Sequence, residues 1–127
     1  MGKIIITILI ALCSINIGAQ EPHKVYCELI GVSNLTGTSI KINVDMGQPM
    51  KFGKFNQRAI YDDNGEKIKF NSMIDALNYF GKLGWSFVQA YAISTESDTT
   101  QTDVYHYIMS KVVSKNEEMF EGLKFKD

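Results

Sequence analysis

Few residues of this 127-residue chain have side chains that could carry out acid–base or nucleophilic chemistry. His23 stands near the start of the region that we expect to fold, and His106 lies in an alternating stretch typical of a strand, with no general-base partner evident from the sequence. Cys27 alternates with Val25 and Leu29, which is typical of a small buried apolar residue. The sequence therefore predicts a protein that is not an enzyme.

Motifs for metal and phosphate are present only in incomplete form. If Gly65 were the sixth residue of an EF-hand loop, Ile60 and Asn71 would stand where both essential carboxylates belong. Residues 31–39 have glycines spaced roughly as in a P-loop but no lysine, and they join strands instead of opening a helix. Glu96, Asp98 and Asp103 have two interpretations, a weak calcium site or the acidic residues of a solvated loop. We expect no metal and no cofactor.

Nucleic acid is not an expected partner. Residues 51–55 and Arg58 interleave positive and aromatic side chains, as surfaces for single strands do, but the chain as a whole has a formal net charge of −1. A sequon at Asn34 would matter only in a host that glycosylates it. The remaining candidates are aromatic and polar residues in the second half of the chain, which we predict to form a binding surface: Trp85, Gln89, Tyr91, Tyr105, His106 and Tyr107.

The elements that position these candidates centre on residues 71–93. Ser72 and Asp75 have the spacing of a capping box, so a helix should begin near Met73 and end near Leu83, where Gly84 can close its last turn. Residues 73, 76, 77, 80 and 83 form one apolar stripe on it. From residue 85 the spacing changes to alternation, which predicts a strand over 85–93.

Four other segments complete the predicted sheet and its surroundings. Residues 25–32 and 40–46 alternate and should form a hairpin, and Asp63-Asn64-Gly65 predicts a second, smaller hairpin over 59–70. Residues 104–113 alternate again and should pair antiparallel with 85–93 across a polar loop at 95–103. Ser114 with Glu117 predicts a short C-terminal helix.

Two resemblances follow from these motifs. The run LNYFGKLGWSFVQAY followed by VYHYIMSK resembles a family of small uncharacterised domains in which a helix ends in Gly-x-x-Gly-Trp and two antiparallel strands follow. The wider pattern, with an N-terminal leader, YCELIG, the DDNG turn and KIKFNSM, resembles small secreted proteins of unknown function from Bacteroides-type bacteria. Neither resemblance implies an activity, a ligand or a catalytic residue.

The N-terminus has the layout of a secretory signal peptide. Lys3 is followed by an apolar run over residues 4–12 and by small residues before a cleavage site that we expect at Ala19-Gln20 or one residue later. The run is too short to span a bilayer, so we expect no stable membrane insertion after cleavage. We therefore predict that residues 1–20 are the leader and that residues 21–127 form one secreted or periplasmic domain. The alternative is a lipoprotein acylated at Cys13, although Leu12 precedes it where a small residue is expected.

Together these segments predict an α+β domain, an antiparallel sheet of β-hairpins packed on one main helix with a short C-terminal helix. A helix of about 11 residues is roughly 16 Å long and can cover only part of one face. Either the C-terminal helix covers the second face or aromatic surface stays exposed.

Three hypotheses for the function follow. The first is binding of another protein or self-association through exposed Tyr105 and Tyr107, or Trp85 and Tyr91. The second is a small-ligand or glycan site at Gln89 and His106 beside residues 95–103. The third, a hydrolase, requires Cys27 or a serine bonded to His106.

Overall fold

The computed structural model describes residues 20–34, 36–49, 58–97 and 99–126. In chain order these contain β1 (His23–Ser33), β2 (Ile40–Asp45), β3 (Arg58–Ala59), α1 (Met73–Lys82), β4 (Ser86–Ser97), β5 (Thr100–Val113) and a 3-10 helix (Asn116–Phe120). The five strands form one antiparallel sheet in the order β3-β2-β1-β5-β4. The predicted α+β class, with an antiparallel sheet and one main helix, is confirmed.

The helix α1 begins where the sequence predicts. Ser72 Oγ accepts a hydrogen bond from the backbone N–H of Asp75 at 3.2 Å, which satisfies one of the free donors of the first turn. The reciprocal bond of a capping box is displaced by one residue, because the Asp75 carboxylate accepts from the backbone N–H of Asn71 at 3.0 Å. The first turn is therefore capped from both sides.

The end of α1 is a Schellman motif, which explains the spacing Gly-x-x-Gly-Trp in physical terms. Gly84 has a φ of 90°, and its N–H donates to Gly81 O at 3.1 Å, while Trp85 N–H donates to Phe80 O at 3.1 Å. The same turn brings the Trp85 and Phe80 rings together, edge to face, with centroids 6.4 Å apart. Helix and following strand are thus joined by backbone bonds and by an aromatic contact.

The two predicted strand pairs are confirmed, and one predicted loop is wrong. β1 pairs with β2, and β4 pairs with β5, but β4 and β5 extend to Ser97 and Thr100, which face each other at the end of the hairpin. Most of residues 95–103 are therefore strand. Their polar side chains are nearly all exposed on both faces, so no apolar alternation marks the strands, and only the β-branched threonines favour them.

The second hairpin and the C-terminal segment are more irregular than predicted. Around the Asp62–Gly65 turn only one isolated antiparallel bridge forms, between Tyr61 and Lys67. The C-terminus forms a single 3-10 helix without a side-chain cap, and Ser114 N–H bonds Glu118 and not Glu117. Gly122, with a φ of 76°, stops the chain from continuing as a helix. An α-helix at the C-terminus is therefore not observed.

One hydrophobic cluster joins α1, one face of the sheet and the C-terminus. It contains Phe80, Met73 and Ala76 of α1 together with Leu29, Val44, Met109, Trp85 and Leu123. Gly31 of β1 lies directly beneath α1, because a Cβ at this position would overlap Met73 Sδ and come within 2.8 Å of Ile40 Cδ1. We call the sheet face that carries Gly31 and Leu29 the helix face.

Some predictions fall on residues that the structure does not describe. The leader with Cys13, the basic and aromatic run over 51–55 and Asp98 lie outside the described residues. Within the described ranges no helix is long and apolar enough to cross a membrane.

Candidate functional site

The face of the sheet opposite the helix face, here called the open face, carries a mixture of aromatic, apolar and ionisable side chains. Directly opposed residues of antiparallel strands point to the same side, so the strand register identifies its members. The register aligns Ile30, His106 and Tyr91 in one row, Val32, Val104 and Ile93 in the next, and Glu28, Ile108 and Gln89 on the other side. Large exposed side chains of this face are Tyr26, Tyr91, Ile93 and Val112.

A β-bulge between Phe87 and Gln89 decides which predicted binding residues share this face. Phe87 pairs with Met109 on the helix face, whereas Gln89 pairs with Ile108 on the open face. The single extra residue, Val88, therefore shifts the alternation by one. Simple alternation, which places residues 85, 87, 89, 91 and 93 on one face, is wrong from this point.

The six predicted binding residues accordingly lie in three places. Gln89, Tyr91 and His106 share the open face. Tyr105 and Tyr107 are half-buried on the helix face, where the Tyr107 ring contacts the exposed Phe87 ring at 5.7 Å. Trp85 is only 3% exposed in the core, and its Nε1 has no acceptor among the described residues. The expectation that Trp85 is accessible alongside Tyr91 is wrong, because the turn after α1 draws it inward.

Three residues of the open face form one bonded cluster. Glu28 Oε1 accepts a hydrogen bond from Tyr91 OH at 2.6 Å and lies 2.9 Å from His106 Nδ1. The Tyr91 and His106 rings are stacked, with centroids 4.6 Å apart and planes within 2°. The bond to Glu28 raises the pKa of the Tyr91 phenol, because deprotonation would break it and place a second negative charge beside the carboxylate.

This cluster does not contain the nucleophile that the hydrolase hypothesis requires. Glu28 is the group bonded to His106, and Cys27, its neighbour in β1, points to the opposite face. The Cys27 thiol is buried, and burial raises its pKa to about 12. An intermolecular disulfide at Cys27 would require the core to open, because the sulfur lies inside the hydrophobic cluster.

The small-ligand hypothesis places a cleft beside residues 95–103, whereas one cavity that the structure describes lies elsewhere. It has a volume of about 460 Å³ and lies between β1, β2 and residues 67–69, with Val32, Ile40, Ile42 and Ile68 among its apolar lining. Neither Gln89 nor His106 lines it. Among the described residues, no group of three His, Cys, Asp or Glu side chains could hold a metal ion.

The outer edge of β4 adjoins the open face. β4 is the last strand of the sheet, so the backbone groups along its outer side have no neighbouring strand among the described residues. All of its 12 residues are exposed. Phe87, Val88, Tyr91 and Ile93 are 52%, 49%, 43% and 51% exposed, which is unusual for large apolar side chains so close together.

Sequence reasoning identified Tyr91 and His106 but not Glu28, the residue that holds them together. Glu28 lies 63 positions from Tyr91 and 78 from His106 in the chain. The available signal was its place in the alternation of residues 25–32, on the face away from Cys27 and Leu29. That signal becomes useful only when β1 is known to lie beside β5.

No protein-family model, curated protein or solved structure matches this chain.

Proposed function

We propose that this protein is an exported, non-enzymatic binding module that holds another polypeptide chain along the outer edge of β4 and the adjoining part of the open face. The observation that carries the proposal is that β4 is an edge strand of 12 residues, all of them exposed. Its length corresponds to roughly 40 Å of unpaired backbone donors and acceptors at about 3.4 Å per residue.

Sheet edges of this kind are normally protected against pairing with other chains. Natural proteins shorten the edge strand, place lysine or proline on it, or cover it with another segment. From Ser86 to Thr95 β4 contains no charged residue and no proline, and several of its residues are β-branched or aromatic. The protective features that β4 has are the bulge at Val88 and the charged residue Glu96, and they lie at opposite ends of the strand.

The mode of binding that suits this geometry is strand addition, in which an extended segment of the partner pairs with the edge. Main-chain hydrogen bonds supply affinity, and alternate side chains of the added strand would rest on the two faces. On the open face those side chains would meet Tyr91 and Ile93, with Gln89 and the Glu28–His106 pair as polar groups nearby. On the helix face they would meet Ala90 and Ala92, which leave room.

Photo-crosslinking during export tests this function. Ile93, at the β4 edge, is replaced by the photoreactive residue benzoylphenylalanine in one variant, and Ile74, which is 60% exposed on α1, is replaced in a control variant. We expect protein adducts at position 93 at least about fivefold above those at position 74, because only the edge offers both backbone and apolar contacts. Equal adduct yields at the two positions would rule out β4 as the binding surface.

A further inference from the structure

The proposed function does not say which chain supplies the added strand. The composition of β4 favours one source. Resting on that function, we propose that the strand that pairs with β4 is β4 of a second copy of this chain, running antiparallel. Two five-stranded sheets would then join into one continuous sheet about a two-fold axis normal to it. Both open faces would lie on the same side of the joined sheet, and both helices on the other.

Charge is the first argument for a second copy. Within β4 the sole charged residue is Glu96, near the far end of the strand. Antiparallel pairing puts the two Glu96 side chains at opposite ends of the interface, whereas parallel pairing would put them side by side. Without the predicted leader, which contains Lys3, 12 Lys and Arg stand against 14 Asp and Glu, so the formal net charge is only −2 and two copies repel each other weakly.

The second argument is the pattern of residues around one particular register. If the two-fold axis passes beside Ala92, then Ala92 faces Ala92, Tyr91 faces Ile93, and Gln89 faces Thr95 of the second copy. The open face then gains two aromatic–β-branched pairs and two polar pairs, which are favourable combinations across antiparallel strands. This register uses residues 89–95, which follow the bulge and therefore lie on the regular part of the edge.

The third argument is that α1 does not cover the part of the β4 edge that would pair. Its buried residues Met73, Ala76 and Phe80 pack in the cluster with β1 and β2, and β4 contributes no residue to that cluster. Residues 89–95 of β4 are all exposed, so a second sheet can approach along this part of the edge. Seven paired residues cover an edge about 24 Å long. Pairing along one strand edge buries little area compared with the roughly 1,200–2,000 Å² of stable interfaces, so we expect a dimer that dissociates on dilution.

The decisive experiment introduces a positive or a negative charge at residue 92, beside the two-fold axis. The protein is produced with its leader, purified after export and studied by light scattering and sedimentation over a concentration series. We expect the unmodified protein to show a concentration-dependent dimer. Ala92→Lys should raise the dimer dissociation constant at least about tenfold, because two like charges then face each other directly. Ala92→Glu alone should do the same.

Mixing the two variants should return the dissociation constant to within about threefold of the unmodified protein, because lysine then faces glutamate. Ile74→Lys, an equal change of charge on α1, should leave the dimer unchanged, and circular dichroism with thermal melting verifies that each variant is folded. A monomer at every concentration, or a mixture of Ala92→Lys and Ala92→Glu that stays monomeric, would overturn the inference. If adducts at position 93 then prove to be with a different protein, the proposed function stands while self-pairing fails.

Discussion

The β2 side and the β4 side of this sheet are built differently, although the same kind of backbone hydrogen bond connects all the strands. In β2 each of Ile40, Ile42 and Val44 is buried and alternates with a more exposed residue, whereas β4 has no buried residue at all. The physical reason is size. A helix of 10 residues is about 15 Å long, and five strands at about 4.8 Å each span about 24 Å. One short helix cannot cover the whole sheet, and its buried residues cluster with residues of β1, β2 and β5, so β4 remains solvated.

The two edge strands show the same contrast. β3 has only two residues, Arg58 and Ala59, and the C-terminal segment lies beside it, with Tyr61 N–H bonded to Lys124 O at 2.9 Å and the Arg58 guanidinium 5.8 Å from the centre of the Phe125 ring. β4 is six times as long, and none of the described segments covers its outer edge. The β3 edge is thus short and covered, whereas the β4 edge is long and exposed.

The largest difference between the hydrophobic cluster and β4 should be in how much each contributes to stability. Phe80→Ala removes a ring with no solvent exposure and should lower the free energy of unfolding by about 3–5 kcal/mol. Phe87→Ala, the same change on β4, removes a ring that is half exposed and makes one edge-to-face contact, and should cost less than about 1.5 kcal/mol. Urea denaturation followed by circular dichroism measures both. Equal losses would mean that β4 is packed as tightly as the core.

A smaller effect should follow from adding a methyl group beneath α1. Gly31→Ala forces its Cβ against Met73 Sδ and should cost about 1–3 kcal/mol, because the packed cluster must shift. Combining it with Met73→Ala should cost less than the sum of the two single changes, since the second removes the obstacle. The matched change on β4, Ala92→Gly, should cost only about 0.5–1 kcal/mol. Strict additivity at positions 31 and 73 would contradict the contact between β1 and α1.

The smallest effect concerns the pKa of Tyr91 on the open face. Glu28→Gln should lower the pKa of this phenol toward its ordinary value of 10.0, because the neutral amide no longer disfavours the phenolate. In the unmodified protein the raised pKa adds stability at pH values below 10.0, and this stability is lost as the pH rises through the pKa of the folded state. The variant should therefore be less sensitive to alkaline pH.

NMR titration of the tyrosine ring carbons measures this shift. Glu96→Gln serves as the control, because it removes a carboxylate from the same hairpin without a bond to Tyr91. A Tyr91 pKa that does not respond to Glu28→Gln would show that the bonded cluster does not persist in solution.

Much of the fold was predictable because local chemistry specifies it. The cap at Ser72, the stop at Gly84 and the alternation of residues 25–32 and 40–46 each act within a few residues, and each produced the element expected. The two errors have different causes. The strands over 95–103 are solvated on both faces, so no strand period marks them in the sequence. The C-terminal segment has the spacing of a capping box, but Ser114 N–H bonds Glu118 and Gly122 ends the turn, so only a 3-10 helix forms.

The candidate site was less predictable than the fold. Six residues were proposed, and the structure brings three of them together on the open face, because one bulge reverses the alternation of β4 and one turn buries Trp85. A bulge depends on how two strands fit against each other and has no marker in the residues from Phe87 to Gln89.

By itself the sequence determined the class of the domain, the bounds of its helix and which strands form hairpins, because capping, glycine turns and alternation are local properties. Only the tertiary structure decided that Glu28 joins Tyr91 and His106, and that β4 and not β2 lies at the open edge. Those facts depend on the order and register of strands far apart in the chain, which long-range packing sets.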